Sequence, residues 1–367
     1  MLVEVIELQQ RAVSELLEKL AVKDEITFRA PTGSGKTYMM ANFMNRVLEQ
    51  NKDVVFLVSS LSKGSLADQN YDKFCEYSAK GDFPYIKPHL ISSMVSGEEK
   101  LYIPTDYNVY LLPRDLYKKN GKLMQGVMEA FLMNITLHQA FGGCGKKVYL
   151  IKDECHIATS NLDDLSVKHF KKVINFSATP KLSRGQNPDV QITDDEAVTA
   201  KLIKQVEWGN DEDTVADAIR KFEEIKVGYR NLLGVNPCLI IQISNENEAE
   251  RELNNVIFPV LNQAEHQDLK WMLIVDDDKK YNTNDVFKAK KLPVSRWKDY
   301  ATEPSASIDV IIFKMVISEG WDIPRACMLY QIRDSKSKQL DEQVIGRVRR
   351  NPRLIDFEGL SEMAFLF

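Results

Sequence analysis

A glycine-rich loop near the N-terminus constrains this chain more than any other feature. Residues 30–37 read Ala-Pro-Thr-Gly-Ser-Gly-Lys-Thr, after an apolar strand pattern at 26–29 and before a helical pattern at 36–50. This is a P-loop with alanine in place of the first glycine, in the strand–loop–helix context that the motif requires. Gly33 and Gly35, on either side of Ser34, let successive backbone N–H groups point at phosphate oxygens. The sequence therefore predicts an α/β fold with a nucleotide-binding loop.

The last two residues of the loop carry chemically specific side chains. Lys36 can reach the β- and γ-phosphates of ATP, and the hydroxyl of Thr37 can ligate Mg²⁺. The N-terminus of the following helix adds a partial positive charge. A glycine-rich turn ending in a surface lysine is the alternative, but strand, loop, Lys-Thr pair and helix occur here in the required order. ATP and Mg²⁺ are the predicted ligands.

An acidic pair follows another buried strand pattern, at residues 148–151. Asp153 and Glu154 come directly after it, and His156 follows them. Open α/β sheets bind ligands at the carboxyl ends of their strands. We expect Asp153 to hold Mg²⁺, directly or through water, and Glu154 to orient and polarise the attacking water. His156 is expected to sense the γ-phosphate or to contact a second domain. An isolated acidic pair is more often a solvated loop, and the upstream P-loop favours the catalytic interpretation.

Small hydroxyl residues follow the next strand pattern, at residues 173–176. Ser177 and Thr179 flank Ala178 at the end of this strand. In this position their hydroxyl groups can relay the state of the nucleotide to the acidic pair. The triplet is common in proteins, so its weight comes from the motifs around it.

A basic helix is predicted near the C-terminus, over residues 340–350. Gln343, Arg347 and Arg350 are spaced i, i+4 and i+7, so they share one helix face. Two arginines on such a face require an anion, and a γ-phosphate would supply one, as for an arginine finger. Upstream, Gly320 lies in a tight loop in which Asp322 can accept a hydrogen bond from a ribose. A solvated basic face is the alternative interpretation of the helix.

The order of strand and helix patterns predicts two α/β series. Strands are predicted at 26–29, 54–58, 108–112, 147–151 and 173–176, and then at 238–243, 271–275, 308–313, 328–332 and 363–367. A further helix is expected at 214–233. The stretch 181–213 is polar, and a chain of 367 residues has room for about two domains. We therefore expect one domain over residues 1–205 and a second over residues 206–367.

Composition narrows the possible partners and the compartment. The net charge of −5 argues against a histone-like protein, although a local groove can still bind nucleic acid. The five cysteines form no CxxC pair, so neither a zinc site nor a disulfide framework is indicated. No apolar run approaches the ~18–20 residues that span a bilayer, and the N-terminus lacks a basic secretory signal. We expect a cytoplasmic protein without membrane contact.

Five segments in chain order resemble the motifs of superfamily 2 helicases and translocases. They are the P-loop, DECH at 153–156, SAT at 177–179, EGWDIP at 319–324 and QVIGRVRR at 343–350. Residues 319–337 and 340–352 look most like the helicase part of the res subunit of Type III restriction enzymes. This resemblance implies two tandem RecA-like domains, each a mostly parallel sheet flanked by helices, with ATP in the cleft between them.

The same resemblance implies ATP-driven movement on double-stranded DNA, with a separate methyltransferase subunit that supplies sequence specificity. It also implies that Gln9, or alternatively Gln10, reads the adenine edge. In three places the chain departs from the family. The threonine commonly found ahead of the EG pair of the fifth motif is absent around residues 313–316. Residues 60–63 replace the usual Pro-Thr-Arg, and no nuclease signature follows the Pro188–Asp189 pair. Because the chain stops in the apolar stretch 363–367, we expect a C-terminal continuation.

Two other functions fit the same motifs. The first is a helicase that unwinds RNA or single strands, and the second is an ATP-controlled nucleic-acid clamp with little turnover. Glu154, Arg347 and Arg350 argue against the clamp, since a pure switch has no need of hydrolytic residues. The nucleic-acid class, the polarity and the recognition sequence are not determined by the motifs.

Removal of the predicted arginine finger tests the role of the basic helix. Arg350→Ala is expected to leave ATP affinity within a few-fold, because Lys36 and Thr37 still hold the nucleotide. Its kcat is expected to fall by about 10³-fold or more, as for other arginine fingers. ATP affinity and kcat should be measured for Arg347→Ala and Arg350→Ala. Normal hydrolysis by both variants would identify the helix as a solvated face or a nucleic-acid contact.

Overall fold

The chain divides into two compact units, each built around one seven-stranded sheet. The computed structural model describes residues 3–60, 66–91, 103–113, 127–155, 169–183, 185–210, 212–244, 246–276, 280–285, 294–314, 323–332, 344–346, 348–352 and 364–366. One unit comprises Glu7–Pro31 and Gly35–Asp194, and the other Met1–Ile6, Thr32–Ser34 and Asp195–Phe367. The assignment of residues 1–205 and 206–367 as domains stays a prediction.

The first sheet is parallel throughout. Its strands are β1 Glu25–Arg29, β2 Val54–Ser60, β3 Pro88–Leu90, β4 Val109–Pro113, β5 Lys147–Asp153, β6 Phe170–Ser177 and β7 Val190–Gln191. They lie in the order β3-β4-β2-β5-β6-β1-β7. The helices are α1 Val3–Val22, α2 Lys36–Gln50, α3 Leu66–Lys80 and α4 Val127–Thr136, and α5 Asp194–Thr199 follows β7. The five strands predicted in this half are confirmed.

Burial explains why these strands could be predicted. All seven residues of β2 are buried, as expected for a strand that helices cover on both faces of a parallel sheet. The register pairs Asp153 at the end of β5 with Phe176 on β6, and Ser177 on β6 with Arg29 on β1. The carboxyl ends of β5, β6 and β1 therefore lie side by side. The P-loop leaves the sheet at this edge, directly after β1.

The second sheet is parallel except at one edge. Its strands are β8 Val206–Trp208, β9 Cys238–Ile243, β10 Trp271–Asp276, β11 Lys280–Thr283, β12 Val310–Lys314, β13 Ala326–Gln331 and β14 Ala364–Leu366. They lie in the order β11-β10-β12-β9-β13-β14-β8, and β11 pairs antiparallel with β10. Two mostly parallel α/β sheets confirm the predicted fold class.

Further α-helices follow β8 in the second unit, and α6 starts and stops at identifiable sequence signals. They are α6 Val215–Leu233, α7 Glu246–Glu252, α8 Phe258–Leu261 and α9 Val294–Thr302, with a π-helical segment at Leu253–Ile257. Thr214 and Asp217 form a reciprocal capping box at the start of α6, and Gly234 ends that helix with a φ of 62°. Of the predicted helix 340–350, residues 344–346 and 348–350 are described. Residues 344–346 and 348 are helical, but Arg349 lies in a turn and Arg350 in a β-bridge with Ile203, so the prediction of a helix is wrong for these last two residues. Among the described residues, no helix is long and apolar enough to cross a membrane.

A buried arginine ties the strands and loops of the second unit together. Arg325 is 1 % exposed. Its guanidinium donates hydrogen bonds to the carbonyl oxygens of Ala301 at 2.6 Å and Ile308 at 2.8 Å. It also donates to the carbonyls of Asn236 at 3.0 Å and Pro237 at 3.3 Å. A buried cation is tolerated when its donors are satisfied in this way.

Replacement of this arginine is expected to destabilise the chain. Arg325→Met keeps much of the side-chain volume but leaves the four carbonyl groups without their donor. The free energy of unfolding should fall by about 3 kcal/mol. The matched control is Arg220→Met, because Arg220 is 67 % exposed at its side chain and should change stability by less than about 0.5 kcal/mol. Urea unfolding of both variants checks this, and equal stabilities would contradict it.

Candidate functional site

The P-loop adopts the conformation expected of a phosphate cradle. Gly33 and Gly35 have φ values of 89° and 81°, in the left-handed region that favours glycine. Helix α2 begins at Lys36, directly after Gly35, and its first turn contains no acidic residue. A loop curled in this way before a helix N-terminus forms a concavity for anions. The loop thus fits phosphate groups, as the sequence predicts.

The ammonium group of Lys36 is held by the loop itself. Its Nζ donates to the carbonyl oxygens of Ala30 and Pro31, each at 3.2 Å. Both acceptors are neutral backbone groups. Charge-assisted bonds to phosphate oxygens are stronger than bonds of this kind. The arrangement therefore keeps the cation beside the loop, in a position to exchange these carbonyls for an anion.

A buried asparagine connects the loop to the acidic pair. Asn70 on α3 is 2 % exposed. Its Nδ2 donates to Oδ2 of Asp153 at 3.0 Å, and its Oδ1 accepts a hydrogen bond from Oγ1 of Thr37 at 3.3 Å. The structure thus brings together the two predicted Mg²⁺ ligands through one amide. Hydroxyl and carboxylate oxygens are the ligand chemistry that Mg²⁺ prefers, so the residues present fit this ion.

The sequence reasoning missed Asn70. Ala67, Asn70 and Phe74 are the buried residues of α3, spaced i, i+3 and i+7. A polar residue on the apolar stripe of an amphipathic helix is the signal that would have indicated it. Such a residue needs a buried hydrogen-bond partner, which here is found in the site.

Burial dominates the electrostatics of Asp153. The carboxylate is 5 % exposed. Desolvation, and next the neighbouring charge of Glu154, raise the pKa of Asp153 from 3.8 to about 6. The hydrogen bond from Asn70 and the positive charge of Lys36 act in the opposite direction. Burial therefore disfavours the ionised form of Asp153, and a cation bound beside the carboxylate would favour that form.

Glu154 lies at a strained turn directly after β5. Its φ is 60°, a left-handed conformation that costs a residue with a Cβ on the order of 1–2 kcal/mol. The next residue, Cys155, donates its backbone N–H to the carbonyl of Phe176 at 3.1 Å, which holds the turn against β6. Strain of this kind is often found at functional sites. The catalytic role of Glu154 stays a prediction.

The serine of the SAT segment connects β6 to the start of the P-loop. Ser177 is fully buried, and its carbonyl accepts a hydrogen bond from the N–H of Ala30 at 3.2 Å. Its Oγ accepts from the N–H of Thr179 at 3.1 Å. Ser177 therefore touches the backbone of the nucleotide loop directly. The relay role of Ser177 and Thr179 stays a prediction.

The two candidate adenine-reading glutamines differ in environment. Gln9 is 5 % exposed, whereas Gln10 is exposed. A Cβ placed on Gly35 would lie 2.5 Å from Nε2 of Gln9, so the Gln9 amide packs directly against the loop. This placement favours Gln9 over Gln10. The contact of Gln9 with adenine stays a prediction.

The remaining predicted site residues belong to the second half of the chain or lie outside the described residues. Arg350 forms an isolated antiparallel bridge with Ile203. Its role at a γ-phosphate stays a prediction. The predicted positions outside the described residues are His156, Gly320, Asp322, Gln343 and Arg347.

One family model matches the N-terminal part of the chain. Residues 2–182 match the family model of the Type III restriction enzyme, res subunit. This match confirms the resemblance expected from the motifs. No curated protein sequence matches the chain.

Comparison with solved structures supports the fold. A Type ISP restriction-modification enzyme, LlaBIII bound to DNA, is 14 % identical with a TM-score of 0.57, over 98 % of this chain and 27 % of that one. A fragment assigned to the HsdR subunit of a type I restriction enzyme from Vibrio vulnificus YJ016 is 15 % identical with a TM-score of 0.59, over 98 % and 62 %. S. cerevisiae Dbp5 bound to RNA and ADP BeF3 is 16 % identical with a TM-score of 0.51, over 98 % and 82 %. The chain thus spans about a quarter of the length of the Type ISP enzyme and about three fifths of the length of the HsdR fragment.

The buried carboxylate makes a prediction about stability and pH. Because the folded-state pKa of Asp153 lies above 3.8, the stability of the ligand-free protein falls as pH rises from about 4 through 6. Asp153→Asn keeps an acceptor for Asn70 and abolishes this loss. The variant should therefore exceed the wild type by on the order of 2 kcal/mol at pH 7.5, with a smaller difference at pH 5.

Thermal and urea unfolding in EDTA between pH 5 and 8 check this expectation. The matched control is Asp24→Asn, because the pKa of Asp24 is lowered by its hydrogen bond with Lys172. Its stabilising effect is present above its unfolded-state pKa, so its removal should not stabilise the protein at neutral pH. A wild type more stable than Asp153→Asn at pH 7.5 would contradict the electrostatic account.

Proposed function

We propose that this chain, which carries a domain of the Type III restriction res-subunit family over residues 2–182, is a motor that moves along double-stranded DNA and hydrolyses ATP to ADP and phosphate. One observation carries the proposal most: Thr37 of the P-loop and Asp153 of the acidic pair share the buried amide of Asn70. This arrangement is costly for a purely structural protein, because it buries a carboxylate. It suits a protein that binds a nucleotide with a cation.

Each residue of the first half has a role in the proposal. Backbone N–H groups around Gly33, Ser34 and Gly35 bind phosphate oxygens, and Lys36 neutralises their charge. Thr37 and Asp153 hold Mg²⁺, which when bound offsets the negative charge of the phosphates. Glu154 orients water for attack on the γ-phosphate and accepts its proton. Gln9 contacts the adenine.

The second half contributes the remaining proposed roles. Arg347 and Arg350 stabilise the charge that develops on the transferred phosphoryl group. Gln343 and His156 couple the state of the nucleotide to the nucleic acid, as do Ser177 and Thr179. Gly320 and Asp322 contact the ribose. A methyltransferase subunit is the proposed partner for sequence specificity, because the resemblance to Type III restriction enzymes implies a separate subunit of this kind.

The nucleic-acid class decides between the two leading functions. A DNA motor should show ATP turnover that linear double-stranded DNA stimulates and single-stranded RNA does not. Displacement of a triplex-forming strand without separation of the duplex would support translocation. Stimulation by RNA or single strands alone, with strand separation, would support the helicase alternative. Dbp5, whose structure contains RNA, is the observation that keeps this second candidate.

Removal of the proposed catalytic base tests the chemistry. Glu154→Gln keeps the side-chain shape and removes its charge, so Mg²⁺ and ATP should bind within a few-fold of wild type. Turnover should fall by about 10²-fold or more. The measurements are ATP affinity and phosphate release at saturating DNA.

The matched control for that variant is Glu15→Gln, at a partly exposed glutamate of α1 paired with Arg11, and this variant should hydrolyse ATP normally. Lys36→Ala should weaken nucleotide binding as well as turnover, because it removes a charge-assisted contact. Equal losses of binding and turnover in Glu154→Gln would make Glu154 a structural residue or a ligand.

A further inference from the structure

Asn70 is a polar residue in a buried position of helix α3. It is 2 % exposed and shares the buried face of α3 with Ala67 and Phe74. A buried primary amide is destabilising unless its nitrogen and its oxygen both find hydrogen-bond partners. Asn70 forms hydrogen bonds with two side chains of the nucleotide site, Thr37 and Asp153, and neither residue belongs to α3.

The chemistry of these partners fixes the orientation of the amide. An ionised carboxylate only accepts hydrogen bonds, so the NH₂ group of Asn70 must face Asp153, at 3.0 Å. The amide oxygen then faces Thr37 and can only accept. The hydroxyl of Thr37 must therefore donate its proton to Asn70, across 3.3 Å. The direction of both hydrogen bonds follows from one carboxylate charge.

This direction has a consequence for the hydroxyl oxygen. Once its proton is directed at Asn70, the lone pairs of Thr37 Oγ1 are available to other groups. A hydroxyl ligates a cation through such lone pairs. The same amide holds one oxygen of Asp153 and leaves the other oxygen of the carboxylate to further partners. Asn70 thus orients two oxygen atoms, one on α2 and one at the end of β5, for the same cation.

We propose that Asn70 is a positioning residue for the Mg²⁺ of the nucleotide complex, acting through Thr37 and Asp153. The proposal rests on the proposed ATP site and names a residue that the motifs do not contain. Groups that orient metal ligands typically contribute 10–100-fold in metal affinity when they are mutated. A purely structural role, in which Asn70 only fastens α3 to the sheet, predicts a loss of stability with no change in metal dependence.

The experiment separates metal dependence from nucleotide binding. Fluorescently labelled ADP is titrated in EDTA and then across a range of Mg²⁺ concentrations, with wild type, Asn70→Ala and Asn70→Leu. The leucine variant keeps the branching of the side chain at Cγ and removes both hydrogen bonds, so it carries the test if the alanine variant folds poorly. The matched control is Gln69→Ala, which removes a neighbouring amide from the exposed side of α3.

Affinity in EDTA should stay within about two-fold for every variant, because Lys36 and the loop are unchanged. The Mg²⁺ concentration for half-maximal enhancement of ADP binding should rise 10-fold or more for both Asn70 variants and not for Gln69→Ala. Excess Mg²⁺ should restore their ATP turnover.

A wild-type Mg²⁺ midpoint in both Asn70 variants would overturn the proposal, and it would leave the nucleotide site itself intact. Failure of the wild type to bind labelled ADP at all would instead overturn the proposed function, and the inference with it. The two failures are therefore distinguishable in one set of titrations.

Discussion

The buried carboxylate of Asp153 is the group around which the first unit is organised. An ion in this environment is stable only if nearby dipoles and charges replace its lost hydration. Asn70 donates one hydrogen bond, and the charge of Lys36 also favours the ionised form. These contributions are incomplete, since the pKa of Asp153 is still raised to about 6. A Mg²⁺ ion beside Asp153 would offset part of this desolvation, so the same burial that lowers the stability of the empty protein would favour cation binding.

The parallel sheet makes this arrangement possible. Strands β5, β6 and β1 are neighbours, so the acidic pair, the buried Ser177 and the start of the P-loop meet at one edge without long connections. The hydrogen bond from Ala30 N–H to the Ser177 carbonyl fixes where the loop leaves the sheet. Helix α3 then supplies Asn70, which contacts Asp153 at this edge. Thr37, Asp153 and Ser177 thus lie at the ends of regular elements, which limits their freedom before any ligand arrives.

The sequence predicted the parts of the structure that depend on local pattern. Buried parallel strands are uninterrupted apolar runs, so β2 and β5 were evident, and the glycines of the P-loop have the positive φ values that the motif requires. The sequence did not predict the short strands β3 and β7 or the polar antiparallel strand β11, because too few residues carry an apolar or alternating pattern there. Asn70 was not predicted as a site residue for another reason. An asparagine on a helix is ordinarily solvated, and only tertiary packing places this one in contact with Asp153. The burial of Gln9 beside Gly35, rather than Gln10, likewise depends on tertiary contact.

A crystal structure of the chain with Mg²⁺ and a non-hydrolysable ATP analogue tests the central claim most directly. The account predicts phosphate oxygens against the backbone of residues 33–37, with Lys36 moved from the carbonyls of Ala30 and Pro31 to the phosphates. It also predicts Mg²⁺ beside Thr37 and Asp153, with both hydrogen bonds of Asn70 intact. A nucleotide bound elsewhere, or a metal ion that contacts neither Thr37 nor Asp153 nor their bound waters, would contradict it.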